Sequence, residues 1–301
     1  MDIVDQILSC PLLLEYPPVL LDIGASGEIH AKWKPIAKYS ICIAFDADDR
    51  EIGFAVNESK GYRKLYVFNS LVSDRALDEV DFFLTKSPYC SSILEPDHTS
   101  LNNWNFGNLF EVNQVTRLKT VLLSDVLQKI GVKKIDWFKT DSQGTDLRLF
   151  ASLGEEVINK ILVAEFEPGI IDGYKGEDKL HMLMKFLDTL PFWMSDIKIC
   201  GTQRISQNSI QQRFSNYYGA QLLSMPFRTS PGWAEVSYFN TFGAAAYCLD
   251  VRDYLLGWVF ALIEGQYGFT LDIALQGIER FGEPAFEDLA ECSTKLVFYN
   301  P

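Results

Sequence analysis

The chain has 301 residues, of which 48% are apolar and 13% aromatic, enough to bury the core of one large domain or of one domain with an appendage. Its formal net charge of −13 at pH 7 is too negative for a surface that must attract phosphate backbones, so we expect no nucleic-acid partner. The best apolar run, residues 254–263, is closed by Asp253 and Glu264 and is shorter than the roughly 20 residues of a membrane span, so we expect no membrane association.

The N-terminal segment and the cysteines are typical of a cytoplasmic protein. Asp2 and Asp5 precede the first apolar stretch and no basic residue does, which is the wrong charge order for a secretory signal. The six cysteines lie far apart, without a Cys-x-x-Cys pair or a nearby pair of histidines, so we expect no structural zinc site.

Apolar runs of strand length alternate with amphipathic stretches through residues 1–200, which is the rhythm of an α/β domain built on a mostly parallel sheet. Five runs predict its buried strands: 19–23, 41–45, 65–68, 135–139 and 161–166. Helical patterns follow at 28–37, near 50–57, at 124–130, at 145–153 and at 179–190. We therefore expect a Rossmann-like domain over 1–200, and over 201–301 a mainly helical extension that serves as a lid or as a contact in a homo-oligomer.

A long segment without a regular pattern, residues 86–110, lies between the third and fourth predicted strands. It is rich in Ser, Asn, Pro and Asp, and connections of this length inside a compact domain are often functional lids or insertions. His98 could swing over a substrate from this segment as a general base, although a solvent-exposed loop histidine is the commoner case. On position alone, this segment and the C-terminal extension are our candidates for substrate recognition.

Three acidic residues lie at the ends of predicted parallel strands: Asp22, Asp46 and Asp141. Because the carboxyl ends of such strands converge on the ligand crevice of an open α/β sheet, we expect the three carboxylates to face one pocket. Asp46 follows Asp22 by about the distance at which a βαβ unit places the acid that holds ribose hydroxyls. The other two acids favour a cationic ligand, because opposite charges interact strongly in a partly buried crevice.

The loop after the first strand, D-I-G-A-S-G, has Gly24 and Gly27 where the chain must turn sharply and let a ligand approach its backbone. It does not match G-x-G-x-x-G, because Ser26 and Ile29 stand at the second and third glycine positions, which argues against a dinucleotide pyrophosphate. The residues therefore predict a ligand with a ribose, a positive charge and no pyrophosphate. S-adenosylmethionine has these features.

Seven short segments, taken together, resemble the pattern of the FkbM-type methyltransferases. They are LLDIGASGE, CIAFDAD, SLVSD, CSSILEPD with its Ser91–Ser92 pair, LSDVL, IDWFKTDSQGTD and VAEFEP. The resemblance spans residues 20–199, and its specificity lies in the whole set, since DxGxxG alone is a weak signal. It implies a Rossmann-like class I methyltransferase fold, S-adenosylmethionine as the donor, and methyl transfer to an oxygen of a small natural-product or sugar acceptor.

The resemblance also implies roles for individual residues. Asp22 and the loop after it would surround the methionine moiety, Asp46 would hold the ribose, and Asp141 would lie beside the amino group or the reacting centre. The cofactor-binding set is therefore Asp22, Gly24, Ala25, Ser26, Gly27, Asp46, Ser73, Asp74 and Asp141, with Ser73 and Asp74 near adenine. The chain departs from the family at Asp46 and Gln143, where a Glu is common, and the second change leaves any catalytic role of that position open.

The expected reaction is transfer of the methyl group to a hydroxyl by in-line displacement, in which the protein mainly aligns donor and acceptor. A general base would assist, with Asp141 as the first candidate and His98 as the second. Nothing in the sequence requires a metal, although Asp141 and Glu165 could bind one if they converge.

Other interpretations stay open at this point. Asp46 could cap the helix that follows it, and Asp141 could cap the helix near Thr145. An NAD-dependent oxidoreductase shares the acid after the second strand but needs the glycines that the first loop lacks. A non-catalytic binding or scaffold protein that retains the fold is the third possibility, and Gln143 gives it some support.

Overall fold

The computed structural model describes residues 3–25, 29–47, 60–214, 227–243 and 249–299. These residues form one large and one small β-sheet, with helices packed against them. The strands are β1 (Val19–Ile23), β2 (Ile41–Asp46), β3 (Lys64–Asn69), β4 (Leu71–Ser73), β5 (Glu79–Thr85), β6 (Val112–Leu122), β7 (Trp137–Thr140), β8 (Val163–Phe166), β9 (Phe192–Gln203) and β10 (Thr229–Asn240). The helices are α1 (Ile3–Leu8), α2 (Pro11–Glu15), α3 (His98–Leu101), α4 (Leu123–Ile130), α5 (Asp146–Ala151), α6 (Glu155–Ile158), α7 (Leu180–Leu187), α8 (Gln207–Arg213), α9 (Val251–Ile263), α10 (Tyr267–Phe281) and α11 (Pro284–Tyr299). Short 3-10 helices lie at Ala31–Tyr39, Pro88–Cys90 and Asn105–Phe110.

The large sheet has seven strands in the order β3-β2-β1-β7-β8-β10-β9. Neighbouring strands from β3 to β8 run parallel, whereas β10 pairs antiparallel with both β8 and β9. All five predicted strands lie in this sheet, so the predicted α/β class with a mostly parallel sheet is confirmed. The strand order reverses between β1 and β7, and the carboxyl ends of strands at such a point form the ligand crevice of an open α/β sheet.

Strand β1 shows why the predicted strands are continuous apolar runs. All five of its residues are buried. Leu20 belongs to a core that it shares with α9 and α10, and Leu21 and Ile23 belong to a second core with α4, α5 and α7. Because helices cover both faces of the sheet, side chains of either parity are buried, and four of the five in β1 are apolar.

Three of the predicted helical segments, 124–130, 145–153 and 179–190, contain α-helices, whose ends differ from the prediction. The helix predicted over 124–130 begins at Leu123 without a side-chain cap, and Gly131 ends it at φ +74°. The segment predicted as a helix at 28–37 forms the 3-10 helix Ala31–Tyr39, which contains Pro35. The helix predicted near 50–57 lies outside the described residues.

The sequence analysis does not predict the small sheet, whose order is β4-β6-β5. Its central strand alternates half-buried Thr116, Leu118 and Thr120 with exposed Arg117 and Lys119, which is the pattern of a strand with one solvated face. The segment expected to lack regular structure, 86–110, connects β5 to β6 and contains α3 and two of the 3-10 helices.

The C-terminal part of the chain is integral to the sheet and its core. Strand β10 hydrogen-bonds between β8 and β9, so the sheet does not end at residue 200. Ten of the 13 residues of α9 are buried, and the helix packs in the same core as β1. In the part of the chain that the structure describes, no helix is long and apolar enough to cross a membrane, and the longest, α11, has 16 residues.

Candidate functional site

A narrow cleft of about 80 Å³, which we call the tip cleft, lies at the carboxyl ends of β1, β2 and β7. Three of the residues predicted from the strand ends line it: Gly24, Asp46 and Asp141. The rest of its lining is mostly apolar with a few hydroxyl groups: Ile23, Phe45, Ala47, Ser70, Leu71, Val72, Phe82, Pro88, Tyr89, Ser91, Ile93, Ser142, Gln143, Thr145 and Leu149.

Gly24 closes the turn after β1 in a conformation that a larger residue would not tolerate. Its φ is +81°, and its N–H donates to the carbonyl oxygen of Phe45 at 2.9 Å. A Cβ at this position would lie 2.1 Å from the backbone oxygen of Asp141, far inside van der Waals contact. The glycine therefore lets the loop after β1 lie directly against the end of β7. Ala25 is buried and does not line the cleft, and Ser26 and Gly27 lie outside the described residues.

Asp46 ends β2 and lies at the wall of the tip cleft, 8% exposed. Phe45, Leu71 and Val72 border the same space, so a carboxylate stands beside an apolar surface. This is the pairing that a ribose joined to a flat base requires, because the carboxylate accepts hydroxyl protons and the apolar wall covers the ring.

Ser73 and Asp74, expected near adenine, do not line the tip cleft. Ser73 is buried, and its hydroxyl accepts the N–H of Arg75 at 3.4 Å. Ser70, Leu71 and Val72, which directly precede them, line the cleft instead.

The expectation that Asp22 faces the same pocket is wrong. Side chains alternate along a strand, and Ile23 faces the tip cleft while Asp22 points to the other face of the sheet. Its carboxylate is fully buried and accepts from Lys139 Nζ at 2.9 Å and from the backbone N–H of His30 at 3.1 Å. Asp22 therefore holds the loop and strand β7 together rather than binding a cationic ligand directly.

Asp22, Lys139 and Glu165 are adjacent in register on β1, β7 and β8, which makes a row of alternating charge in which the two carboxylates are buried and Lys139 is half-buried. Burial lowers the pKa of Lys139, but the negative charges of Asp22, Asp141 and Glu165 outweigh it and the net shift is upward. Burial raises the pKa of Glu165, yet His30, at 3.1 Å, together with Lys32 and Lys139 lowers it overall.

Glu165 does not line the tip cleft, so it does not converge there with Asp141. Its carboxylate is instead within 3.1 Å of His30 Nε2 and 3.5 Å of Lys32 Nζ. Across the described ranges, no group of three or more His, Cys, Asp or Glu side chains is placed to hold a metal ion.

Asp141 and Glu167 form a pair of carboxyl groups at the ends of β7 and β8. Burial raises the pKa of Asp141, the charge of Asp146 raises it further, and Lys139 opposes both. Burial and the charges of Asp141 and Asp146 also raise the pKa of Glu167. Because two adjacent carboxylates repel, each group raises the cost of ionising the other, and the protonated form of Glu167 is favoured.

Gln143 connects Asp141 to the next part of the site. Its Nε2 donates to Asp141 Oδ1, its Oε1 lies 2.9 Å from the Tyr174 hydroxyl, and its carbonyl oxygen accepts from Ser92 Oγ at 2.7 Å. Its φ is +55°, in the left-handed region. A Glu here would add a negative charge next to Asp141 and lose the N–H donor, so the neutral amide suits its surroundings better. Asp141 does not cap α5, which begins after Thr145 without a side-chain cap.

A second hollow of about 430 Å³, which we call the aromatic pocket, adjoins the tip cleft through Tyr89, Asp141 and Gln143. Its volume lies within the range of small-molecule sites. The lining includes four further aromatic rings and two further carboxyl groups: Phe106, Phe110, Tyr174, Trp233, Glu167 and Glu177. Glu177 Oε1 accepts from the N–H of Gly173 at 2.8 Å, and burial raises the pKa of Glu177 to about 7.

The segment 86–110 reaches this pocket through Tyr89, Phe106 and Phe110, but not through His98. His98 is exposed at the first position of α3, whose N-cap is Asp97, and it lines neither hollow. The structure thus does not place His98 as a general base. The C-terminal region contributes Trp233 from β10.

Sequence reasoning missed Glu167, Tyr174, Glu177 and Trp233 as site residues. Glu167 directly follows a strand, the same signal that selected Asp141, and could have been found in that way. The other three lie on connections and on a strand that the pattern analysis did not resolve.

These features define an open α/β protein with a ligand-sized site at the carboxyl edge of its parallel strands. Comparison with models of protein families gives no match to this chain, and comparison with curated proteins gives none either.

Proposed function

We propose that the protein is an S-adenosylmethionine-dependent methyltransferase of the FkbM type that transfers a methyl group to a hydroxyl of a small molecule. The observation that supports this best is the convergence of Gly24, Asp46 and Asp141 on one cleft that opens beside a second, ligand-sized pocket. Transfer between two molecules needs two adjoining sites, and Asp141 borders both.

The sheet supports the same proposal. The five parallel strands, in the order β3-β2-β1-β7-β8, follow the strand order of a doubly wound nucleotide-binding sheet. The antiparallel strand β10 between β8 and β9 departs from the all-parallel dinucleotide-binding order. An oxidoreductase that binds NAD is correspondingly less well supported.

The residues of the tip cleft have the chemical groups that an adenosyl group requires. Asp46 offers a carboxylate for ribose hydroxyls, and Phe45, Leu71, Val72 and Phe82 offer an apolar wall for the base. The cleft's volume of about 80 Å³ is below the few hundred of typical ligand sites, so binding requires it to widen. Tyr89, which is 62% exposed and borders both hollows, can move without disturbing a core.

Bound S-adenosylmethionine would supply an activated methyl group on a positively charged sulfur. The protein's own part is to align the acceptor and to take up its hydroxyl proton. Asp141, paired with Glu167 and bonded to Gln143, is the carboxyl group at the junction of the two hollows and so the base in this proposal. The aromatic walls exclude water from the acceptor side.

Calorimetric titration with S-adenosylmethionine, S-adenosylhomocysteine and NAD tests the proposal. We expect micromolar binding of the two adenosyl compounds and none of NAD. Asp46→Asn should weaken the adenosyl compounds about 10- to 100-fold, the effect of losing a hydrogen bond to a charged group. Asp74→Asn is the matched control, because Asp74 does not line the cleft, and should bind as the unaltered protein does.

Binding of NAD alone would overturn the proposal in favour of an oxidoreductase. Binding of none of the three compounds would overturn it in favour of a non-catalytic protein that retains the fold.

A further inference from the structure

The walls of the aromatic pocket are held in place by ring contacts between distant parts of the chain. Phe106 stacks on Trp233 with ring centroids 6.0 Å apart and an interplanar angle of 9°. Phe110 forms T-shaped contacts with Phe106 and Tyr174, with ring centroids 5.2 Å and 5.5 Å apart, respectively. The rings come from the 86–110 segment, from the connection after β8 and from β10. These contacts hold the four rings against one another and give this wall of the pocket a defined shape.

The ionisable side chains that line the aromatic pocket and can carry a full charge near neutral pH are all carboxyl groups. Asp141, Glu167 and Glu177 line it, and among the described residues no Lys, Arg or His does. Lys179 lies behind Glu177, 3.9 Å from its Oε1, and is already paired with Asp172 at 2.5 Å. Lys139 is paired with Asp22 on the other face of the sheet.

We propose that the aromatic pocket takes a methyl acceptor that carries a protonated amine next to a ring or alkyl body, and that it rejects acceptors carrying phosphate or carboxylate. That the ligand is a methyl acceptor rests on the proposed function; its charge rests on the pocket alone. The inference is drawn from a ligand-sized cavity that aromatic side chains and carboxyl groups line together.

Each component of the pocket favours a cation by its own mechanism. The faces of Phe106, Tyr174 and Trp233 attract a cation through their ring quadrupoles. A carboxylate forms a charge-assisted hydrogen bond with an ammonium group, and the bond gains strength where solvent is excluded. The carboxylates of Asp141 and Glu177 would repel an anion, and no basic side chain among the described lining residues would compensate. A hydroxyl on such an acceptor would approach Asp141, while the amine lies toward Glu177.

Three probes of nearly equal size separate charge from shape: phenethylamine, 2-phenylethanol and phenylacetate. Their binding to the whole protein is measured by calorimetry without S-adenosylmethionine at pH 7.5. We expect phenethylamine to bind about tenfold more tightly than 2-phenylethanol, as cation–π and carboxylate contacts in a sheltered site predict, and phenylacetate not to bind.

Two variants assign the preference to the pocket. Glu177→Gln keeps an acceptor for the N–H of Gly173 but removes the charge, and should lower the ratio of amine to alcohol affinity severalfold. Phe106→Leu keeps the apolar volume but removes a ring face, and should lower the same ratio even if Glu177→Gln does not fold. Glu156→Gln is the control, because Glu156 is 90% exposed on α6, and it should leave all three affinities unchanged.

Equal binding of the amine and the alcohol, or stronger binding of phenylacetate, would overturn the inference. Titration of S-adenosylmethionine in the same preparation distinguishes this failure from failure of the proposed function. If the donor binds and the amine does not, the inference fails alone; if the amine binds and the donor does not, the methyltransferase proposal fails and the cation site stands.

Discussion

Replacing Lys139 by methionine should leave the carboxylate of Asp22 buried without its cation. Asp22 is 0% exposed, its Oδ1 is 2.9 Å from Lys139 Nζ, and the N–H of His30 is the remaining partner that the structure gives it. Methionine preserves most of the side-chain volume, so the change tests charge rather than packing. Removing one partner of a buried ion pair costs about 3–5 kcal/mol, because the other charge stays desolvated.

The measurement is urea unfolding of four proteins: unaltered, Lys139→Met, Asp22→Asn and the double variant. Because Asn at 22 is neutral and still accepts the N–H of His30, the double variant should recover most of the stability that Lys139→Met loses. Lys160→Met is the control, since its pair with Glu156 is on the surface at 3.2 Å, and should change little. A loss below about 1 kcal/mol in Lys139→Met, or an equal loss in the double variant, would refute the reasoning.

Three further predictions follow from the same site. Gly24→Ala should destabilise the protein by about 3 kcal/mol or more, because the new Cβ combines a left-handed backbone with a clash against Asp141. Gly154→Ala is the control: its φ is +79° but the space around its Cβ is open, so it should cost about 1–2 kcal/mol. Thermal unfolding of the two variants compares these losses. Gln143→Glu should lower the unfolding free energy by about 1–3 kcal/mol at pH 8 and by less at pH 5, because the added carboxylate faces Asp141; equal losses at the two pH values would contradict this account. The pKa of Glu167, raised to about 9, lies far above the value near 4.3 of an unfolded chain, so between these two pH values the folded state holds a proton that the unfolded state releases. The stability of the protein therefore falls as pH rises from about 4.3 to about 9. The urea midpoint of Glu167→Gln should fall less steeply between about pH 6 and 9 than that of the unaltered protein, and parallel curves would show that Glu167 is not the group responsible.

The parallel strands could be predicted because the information for them is local. A strand buried on both faces is a continuous apolar run, and the run 19–23 coincides with β1 residue for residue. Strand β6 could be overlooked for the opposite reason, since one of its faces is solvated and its exposed Arg117 and Lys119 resemble those of a loop.

The candidate site was predictable only where it depends on strand ends. Gly24, Asp46 and Asp141 follow that rule and line the tip cleft. Asp22 does not line the cleft, because side chains alternate along a strand and Asp22, one position before Ile23, points to the opposite face of the sheet. Position alone singled out the 86–110 segment and the C-terminal region, but not the aromatic pocket itself, because its rings lie between residues 89 and 233 and are brought together by tertiary contacts.

The position of β10 has a consequence for the order in which the molecule assembles during synthesis. Strand β9 pairs with β10 and has no bond to β8, so it cannot join the sheet until residues 229–240 have left the ribosome. A nascent chain that stops short of them leaves the edge of β8 open and lacks Trp233. The acceptor side of the proposed enzyme is therefore completed late in translation, and fragments that contain all the earlier strands should be poor candidates for expression.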